Sequence, residues 1–466
     1  MKLYSENNFY KLYQGSMLDM LDVIEKESID SVVTDPPYEL NFMGKGWDNA
    51  GVSFQPDTWK KCYEVLKPGG YLLAFGGSRT FHRIACAIED AGFEIRDTIM
   101  WLYGSGFPKS QNIGLALDKK NGIDNRTGEI RTNGKATKGG VYNCSKDGQE
   151  LHQVFEERIA HNKWQGWGTC LKPSFEPIIV ARKPFKGSLV DNVIKNGVGG
   201  LNIDECRVGN ETISIHNAPK GTFAGGEYGR GSDTESYRDS VGRFPANTIL
   251  TYDETDYEEV CGGFPNTKSQ KTNSKLLDIR GNNYNNANKN LDIAYERGYS
   301  DSGSASRYFY CAKASKKDRD EGLEEFEETP LTLTENKGRT FNDRCAICGK
   351  KFIGSPETIC HCENPITDKT KSAPRKNVHP TVKPCDLMQY LVRLVTPNGG
   401  TILDPFNGSG STGKAVMYEN KERDKGYKYI GIELTEEYLP ISKARIEYVC
   451  KDLKTVQTTL DLSDLD

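Results

Sequence analysis

The sequence predicts an α/β fold whose two parts lie at opposite ends of the chain. Three observations carry that expectation. Short β-branched or apolar runs alternate with helix-period segments over the first hundred residues. The same alternation returns after about residue 372. Between them lies a long stretch, rich in glycine and asparagine, that holds neither period.

Taken in order, Ile29–Thr34 (IDSVVT) reads as a strand that ends in a turn at DPPY. The glycine-bounded run GGYLLAFGG, Gly69–Gly77, reads as a buried parallel strand. Phe81, Ile84, Ala85, Ile88 and Ala91 then recur at helical spacing, and Gly92 follows as a stop. From about residue 110 to 300, clusters such as GTFAGGEYGRGSD and RGNNYNNANKN separate short apolar stretches and read as loops. One of those stretches, Trp164–Phe185, contains the strand IIVARKP just after Lys172-Pro173 and Glu176-Pro177. Trp164 and Trp167 there either stack on bases or anchor a loop, and anchoring is the favoured reading. Asp318–Glu328 places seven carboxylates in eleven positions and reads as a solvated face or linker. After about residue 372 come the helix CDLMQYLVRLV, the strand GGTILDPF, the loop NGSGSTG and the helix KAVMYENKER. The strand KYIGIEL and the helix TEEYLPISKARIEYVC, with Thr435 as N-cap, complete the pattern.

Composition narrows the class. A mean hydropathy of -0.64 and 27% charged residues exclude a membrane protein. No run approaches the roughly 18–20 apolar residues of a spanning helix. The start MKLYSENNFYKLY lacks the apolar core of an export signal, so a cytoplasmic setting is expected. Sixty-one basic residues against 65 acidic ones nominate no partner. Thirteen cysteines without an export signal argue against a disulfide framework and for free thiols, some of them available to a metal.

Three segments carry chemistry. Asp35-Pro36-Pro37-Tyr38 follows a buried strand directly. Ligands of an open parallel sheet bind outside the carboxyl ends of its strands. There Asp35 and a proline-fixed carbonyl are acceptors, and Tyr38 offers a flat face. That set suits a planar ring bearing an exocyclic amino group, although an ordinary proline turn has the same residues. Asp404-Pro-Phe406-Asn-Gly408-Ser-Gly410-Ser-Thr-Gly413 is a second strand-to-glycine-loop-to-helix passage. It has no Walker G-K-[ST] and departs from a dinucleotide fingerprint, while Glu433 ends the next strand where a carboxylate can hold ribose hydroxyls. A nucleoside-bearing cofactor without a long polyphosphate fits that layout. The third segment is His379-Pro-Thr381-Val-Lys383-Pro384, which on the plainer reading is a turn leading into a helix.

In their chain order, DPPY at Asp35, HPTVKP at His379 and DPFNGSGSTG at Asp404, the three segments resemble the β-class arrangement of the S-adenosylmethionine-dependent DNA amino-methyltransferases. The resemblance covers roughly residues 10–110 and 375–450. It implies a Rossmann-like α/β fold, a mostly parallel, seven-stranded-type sheet flanked by helices, with circularly permuted motif order. By resemblance, Asp35, Pro36, Pro37 and Tyr38 form the catalytic segment. Asp35 and the Pro36 carbonyl would accept hydrogen bonds from the target amino group, and Tyr38 would stack on a base extruded from double-stranded DNA. No covalent nucleophile is required, and positioning and electrostatics carry the rate. Asp404, Phe406, Gly408 and Gly410 match the cofactor loop, and Glu433 the ribose acid. His379, Thr381 and Lys383 match the segment beside the cofactor's methionine end. Members often carry Gly-Asp about 19 residues before the catalytic aspartate; here the pair is Gly15-Ser16, and Ser16 brings one hydroxyl and no charge.

The aspartate form of DPPY favours adenine as the target. Amino-methylation of cytosine or of RNA, or an inactive zinc-ribbon DNA-binding protein, are the alternatives. Ring-carbon cytosine chemistry needs a Pro-Cys nucleophile, and Pro384-Cys385 stands at a helix start beside the cofactor motifs, which excludes it. Cys345-x2-Cys348 and Cys360-x-Cys362 have ribbon-like spacing for one structural zinc, with His361 an alternative ligand. From Asn336 to Lys383 ten basic residues face four acidic ones, a surplus suited to phosphate. Trp164–Phe185 and Gly242–Leu250 resemble segments of phage and prophage members. The organisation this implies is a first methyltransferase part at 1–110 and a target-recognition insertion at 111–330. A zinc ribbon at 331–372, a second methyltransferase part at 373–450 and a polar tail at 451–466 follow. The oligomeric state, a homodimer included, and any restriction partner are left open.

Overall fold

The computed structural model describes residues 1–40, 51–103, 110–124, 126–135, 152–217, 236–251, 264–269, 272–274, 295–297, 301–312, 316–327, 344–345, 367–368 and 376–453. The chain divides into two compact units. The first comprises Met1–Ser105, Ser174–Asp318 and Lys383–Asp466, the second Gly106–Pro173 and Arg319–Val382.

The first unit is built on β1 (Lys2–Glu6), β2 (Tyr10–Gln14), β3 (Ile29–Thr34), β4 (Leu66–Phe75), β5 (Glu94–Tyr103), β6 (Phe175–Arg182), β7 (Thr248–Thr251), β8 (Tyr310–Cys311), β9 (Thr401–Asp404) and β10 (Lys428–Glu433). They form one sheet in the order β1-β2-β10-β9-β3-β4-β6-β5-β7-β8. All neighbours are parallel except that β1 opposes β2 and that β6 runs against both β4 and β5. The mostly parallel sheet is thus as expected and wider than the seven-stranded type. Three of its strands, β6, β7 and β8, come from the stretch 111–330 that reads as an insertion in the sequence. Every residue of β3 is buried, which explains why its run IDSVVT lacks polar alternation.

Alternate residues of the strands feed two cores, as the two-residue strand period requires. Val33, Leu73 and Phe75 pack on one face, with residues of α5 (Cys385–Val395), α6 (Ser411–Arg423) and α7 (Leu439–Cys450). Val32, Leu72 and Ala74 pack on the other, with residues of α1 (Pro56–Val65) and α2 (Phe81–Asp90). Gly92 follows α2 with φ +105°, the stop its position predicts. The C-terminal helix begins later than expected: Thr435 contributes no side-chain cap, and a short 3-10 turn over Glu436–Tyr438 precedes α7. A helix α4 (Leu189–Asn196), capped by the Ser188 hydroxyl, packs beside β4.

One expectation is overturned. Asp318 is not on a solvated face. Its carboxylate pairs with the wholly buried ammonium of Lys414 and accepts the Cys385 amide at 2.6 Å, so it caps the start of α5. The carboxylate turns inward because a lysine buried on α6 needs a counter-charge. Cys385 itself is buried and its thiol is pushed well above its usual pKa by that burial, which agrees with excluding it as a nucleophile.

In the second unit, α3 (Ile113–Lys120) receives the Trp164–Trp167 turn. The Ile113 amide donates to the Trp167 carbonyl at 3.0 Å, and the two indoles meet edge-to-face at 5.1 Å. This is the anchoring arrangement, with the Trp167 ring left exposed. The unit also holds the antiparallel ribbon of Arg126–Lys135 with His152–Arg158, and the short pair Arg344–Cys345 with Thr367–Asp368. Among the described residues no helix is long and apolar enough to cross a membrane.

Candidate active site

The strand order reverses direction of travel between β9 and β3. From β3 the chain crosses by α1 to β4 on one side, and from β9 it crosses by α6 to β10 on the other. A crevice forms at such a point beyond the carboxyl ends of the strands. Pairing of Leu403 with Val32 brings the ends of β3 and β9, and therefore DPPY and the DPF loop, side by side.

On the β3 side, the two oxygens of Asp35 differ. Oδ2 accepts from the Lys383 ammonium at 2.6 Å, while Oδ1 is buried and has no hydrogen-bond partner among the described residues. Lys383 also lies 3.5 Å from Glu176 Oε2, and its ammonium is 5.3 Å from the Tyr38 ring centre and 5.0 Å from that of Phe75. The Tyr38 hydroxyl donates to Glu176 Oε2 at 2.7 Å, and the Tyr103 hydroxyl lies 3.3 Å from Oε1. Burial opposes the charge of Lys383, but Asp35 and Glu176 outweigh it and hold its pKa above the usual value. Burial, reinforced by the same two carboxylates, keeps the Tyr38 phenol far above its usual pKa, so it is a donor. Ser53 donates to the Pro37 carbonyl at 2.7 Å and Thr80 to the Tyr38 carbonyl at 2.9 Å, which pins the segment. Gly77 lets Tyr38 lie close: a Cβ there would stand 3.2 Å from its ring.

On the β9 side, Asp404 is buried and accepts from Thr34 and Thr412 hydroxyls at 2.6 Å each and from the Phe406 amide at 3.1 Å. Burial nonetheless lifts its carboxyl to about 6. Asp404 therefore braces the loop from below, tying β9 to β3 and to the first turn of α6. Glu433, at the end of β10, accepts the Gly408 and Thr435 amides at 2.7 Å each, and burial raises its pKa as well. The Thr435 hydroxyl and the Leu434 amide add to these bonds. Gly410 enters α6 with φ +75°, and the half-buried Phe406 ring lies 6.3 Å from Trp59.

The Gly15 amide donates to the Glu433 carbonyl at 3.0 Å, which puts Ser16 beside the end of β10. Ser16 caps the 3-10 turn Met17–Asp22 by accepting the Leu18 amide at 3.2 Å. His379 and Thr381 belong to the second unit, where His379 Nδ1 meets the Thr381 carbonyl. Lys383, matched in sequence to the segment beside the cofactor's methionine end, donates to Asp35 Oδ2. Cys348, Cys360 and Cys362 lie outside the described residues, and only the backbone of Cys345 is described. Among the described residues no cluster could hold a metal. Glu176, Tyr103, Thr34 and Thr412 were not singled out as site residues in the sequence. Glu176 arrives because β6 is antiparallel, so its first residues, rather than its last, reach the edge where β4 ends: Phe75 pairs with Ile178.

A profile of the family described as DNA methylase, of the N6/N4 amino type, matches residues 29–202 and 231–444, well over half of the chain. The chain belongs to this DNA methylase family. It is similar to the Type II methyltransferase M.HindIII of Haemophilus influenzae, 27% identical over 150 residues. That match covers 31% of this chain and 37% of the relative, little more than a third of its length. It is also similar to the Type II methyltransferase M2.LlaDCHI of Lactococcus lactis, 38% identical over 232 residues, covering 43% of this chain and 82% of the relative. Among solved structures, PvuII DNA methyltransferase (cytosine-N4-specific) overlays with a TM-score of 0.39 at 13% identity, covering 97% of this chain and 93% of that one. The DNA methylase match begins at Ile29, the first residue of β3, and takes in Asp35, Glu176, Lys383 and the loop from Asp404 to Glu433, while Ser16 falls before it.

Proposed function

We propose that this chain methylates the exocyclic amino group of adenine at a specific site in double-stranded DNA, with S-adenosylmethionine as donor. The observation that carries the reading is the asymmetry of Asp35: one oxygen is held by Lys383, and the other is buried without a partner among the described residues. A buried acceptor left open is costly unless an external donor fills it, and an amino N–H is such a donor. The donor set beside it suits the cofactor. Phe406, Gly408, Gly410 and Glu433 would hold its nucleoside, and the acidic surroundings of Asp35 suit a cation. When bound, S-adenosylmethionine supplies a methyl group on a positively charged sulfur.

The chain's own residues would then act by orientation and charge. Asp35 Oδ1 and the Pro36 carbonyl accept the amino hydrogens and raise the availability of the nitrogen lone pair. Pro37, pinned through its carbonyl by Ser53, fixes the turn, and Tyr38 presents its ring to the extruded base. Asp404 holds the two loops in register. Developing positive charge on the amino nitrogen faces carboxylates fixed in advance. Ser16, His379 and Thr381 belong to the cofactor side of this reading on the strength of the resemblance alone. The aspartate of DPPY supports adenine over cytosine.

The second unit and the insertion would read the DNA. There, Cys345, Cys348, Cys360 and Cys362 would hold one structural zinc. Pairing of Arg344–Cys345 with Thr367–Asp368 supports this, because it brings together the chain flanking the two cysteine pairs. About one zinc per chain is expected, and a metal assay in which Cys345→Ser with Cys348→Ser loses none would refute the site. For the reaction, DNA methylated by the purified chain is digested to nucleosides and weighed. N6-methyladenosine in the deoxy series is expected, with methylcytosine or RNA products as the competing outcomes. Asp35→Ala should abolish the product while leaving cofactor affinity in place; full activity would sink the assignment.

A further inference from the structure

The site contains a carboxylate that the resemblance does not supply, Glu176. It stands on β6, the one internal strand of the sheet that runs backwards. Its carboxylate receives the Tyr38 hydroxyl at 2.7 Å on Oε2 and lies 3.3 Å from the Tyr103 hydroxyl on Oε1. Oε2 also lies 3.5 Å from the Lys383 ammonium, whose closer contact is Asp35 at 2.6 Å. Lys383 thus stands between two carboxylates, with only 8% of its side chain exposed.

We propose that Glu176 is a positioning residue of this site: it locks the Tyr38 ring by its hydroxyl and shares the Lys383 ammonium, so that Asp35 Oδ1 stays open and aimed by a fixed partner. The proposal rests on the methyltransferase reading above. Two physical arguments support it. First, a tyrosine ring that serves as a stacking plate loses binding energy if it turns freely, and a charge-assisted hydrogen bond at its far end removes that freedom. Second, Glu176 gives the site a net charge. Asp35 and Lys383 alone form a neutral pair, whose carboxylate is a weakened acceptor. With Glu176 the trio carries one net negative charge, placed where positive charge moves from sulfur toward the amino nitrogen.

Glu176→Gln tests the charge argument, since the amide oxygen still accepts from Tyr38 while the charge is gone. It should lower kcat about 10- to 100-fold, with the cofactor Kd and the KM for DNA within about twofold of wild type. Glu176→Asp, which keeps the charge, should recover part of that loss. Tyr38→Phe, which tests the ring lock, should also lower kcat, and combined with Glu176→Ala it should cost less than the product of the two single losses, because both remove one contact. An unchanged kcat in Glu176→Gln, or losses that multiply in the double variant, overturns the proposal. If the Gln variant fails to fold, Tyr38→Phe alone decides, and a kcat equal to wild type overturns it. A wild-type chain that methylates DNA, with Asp35→Ala inert and Glu176→Gln fully active, defeats this inference and leaves the methyltransferase reading intact. A wild-type chain with no methylation defeats the reading itself.

Discussion

Asp404→Asn isolates the energetic consequence of burying a carboxylate beneath the cofactor loop. Asp404 is only 2% exposed, and three hydrogen bonds favour its charged form. Burial outweighs them and lifts the carboxyl from 3.8 to about 6. The folded chain therefore binds this proton more tightly than the unfolded chain does. Wherever the folded state holds more protons than the unfolded state, stability falls as the pH rises. With these two pKa values, the loss between pH 5 and pH 7.5 is about 1.4 kcal/mol. Asparagine cannot ionise and escapes that loss. The stability of Asp404→Asn relative to wild type should therefore improve by about 1.4 kcal/mol between those two pH values. Glu419 and Glu433, whose pKa values are also raised by burial, act alike in both proteins and cancel in the difference. Urea unfolding at each pH, with equal m-values, supplies the four numbers needed. A relative stability that moves by less than about 0.3 kcal/mol would refute the account of a strained, buried charge.

Thr412→Val removes the hydroxyl that donates to Asp404 Oδ2 at 2.6 Å and leaves the buried oxygen short of a partner. The cost should be about 1–3 kcal/mol, read as a lowered urea midpoint at pH 8. Gly410→Ala meets two obstacles, a φ of +75° and a Cβ position 2.6 Å from Ser442 Oγ. It should destabilise by at least about 1–2 kcal/mol and weaken cofactor binding in calorimetry, whereas wild-type values for both would show that the loop tolerates a side chain there.

The elements that position the site were legible where local sequence decides them. Ile29–Thr34 and Cys385–Val395 fall where the apolar runs end, because proline, glycine or charge follows at once. DPPY and the DPF loop were readable because each is a strand end with its chemistry attached. What was hidden is direction and pairing. The run EPIIVAR reads as any buried strand, and nothing local says that it inserts antiparallel between β4 and β5. Glu176 is a site residue only through that direction. Lys383 was legible as a site residue but not its partner, Asp35, because the two are 348 positions apart. Asp318 was misread for the same reason: a carboxylate in an acidic run looks solvated until a buried lysine 96 positions away is known to need it.

The place of β3 between β4 and β9 has a consequence for how the protein is made. β4 follows β3 closely in the chain, but the partner on the other edge emerges late, since Thr34 and Asp404 are 370 positions apart. At bacterial elongation rates that interval lasts on the order of 20 to 70 s. Throughout it the nascent chain displays an apolar strand with an unsatisfied edge, the kind of surface that recruits other chains. β9 and then β10 are therefore late to join the sheet, so the crevice between β3 and β9 cannot form during early synthesis. Folding of the reaction site therefore waits until Asp404 and Glu433 have been made.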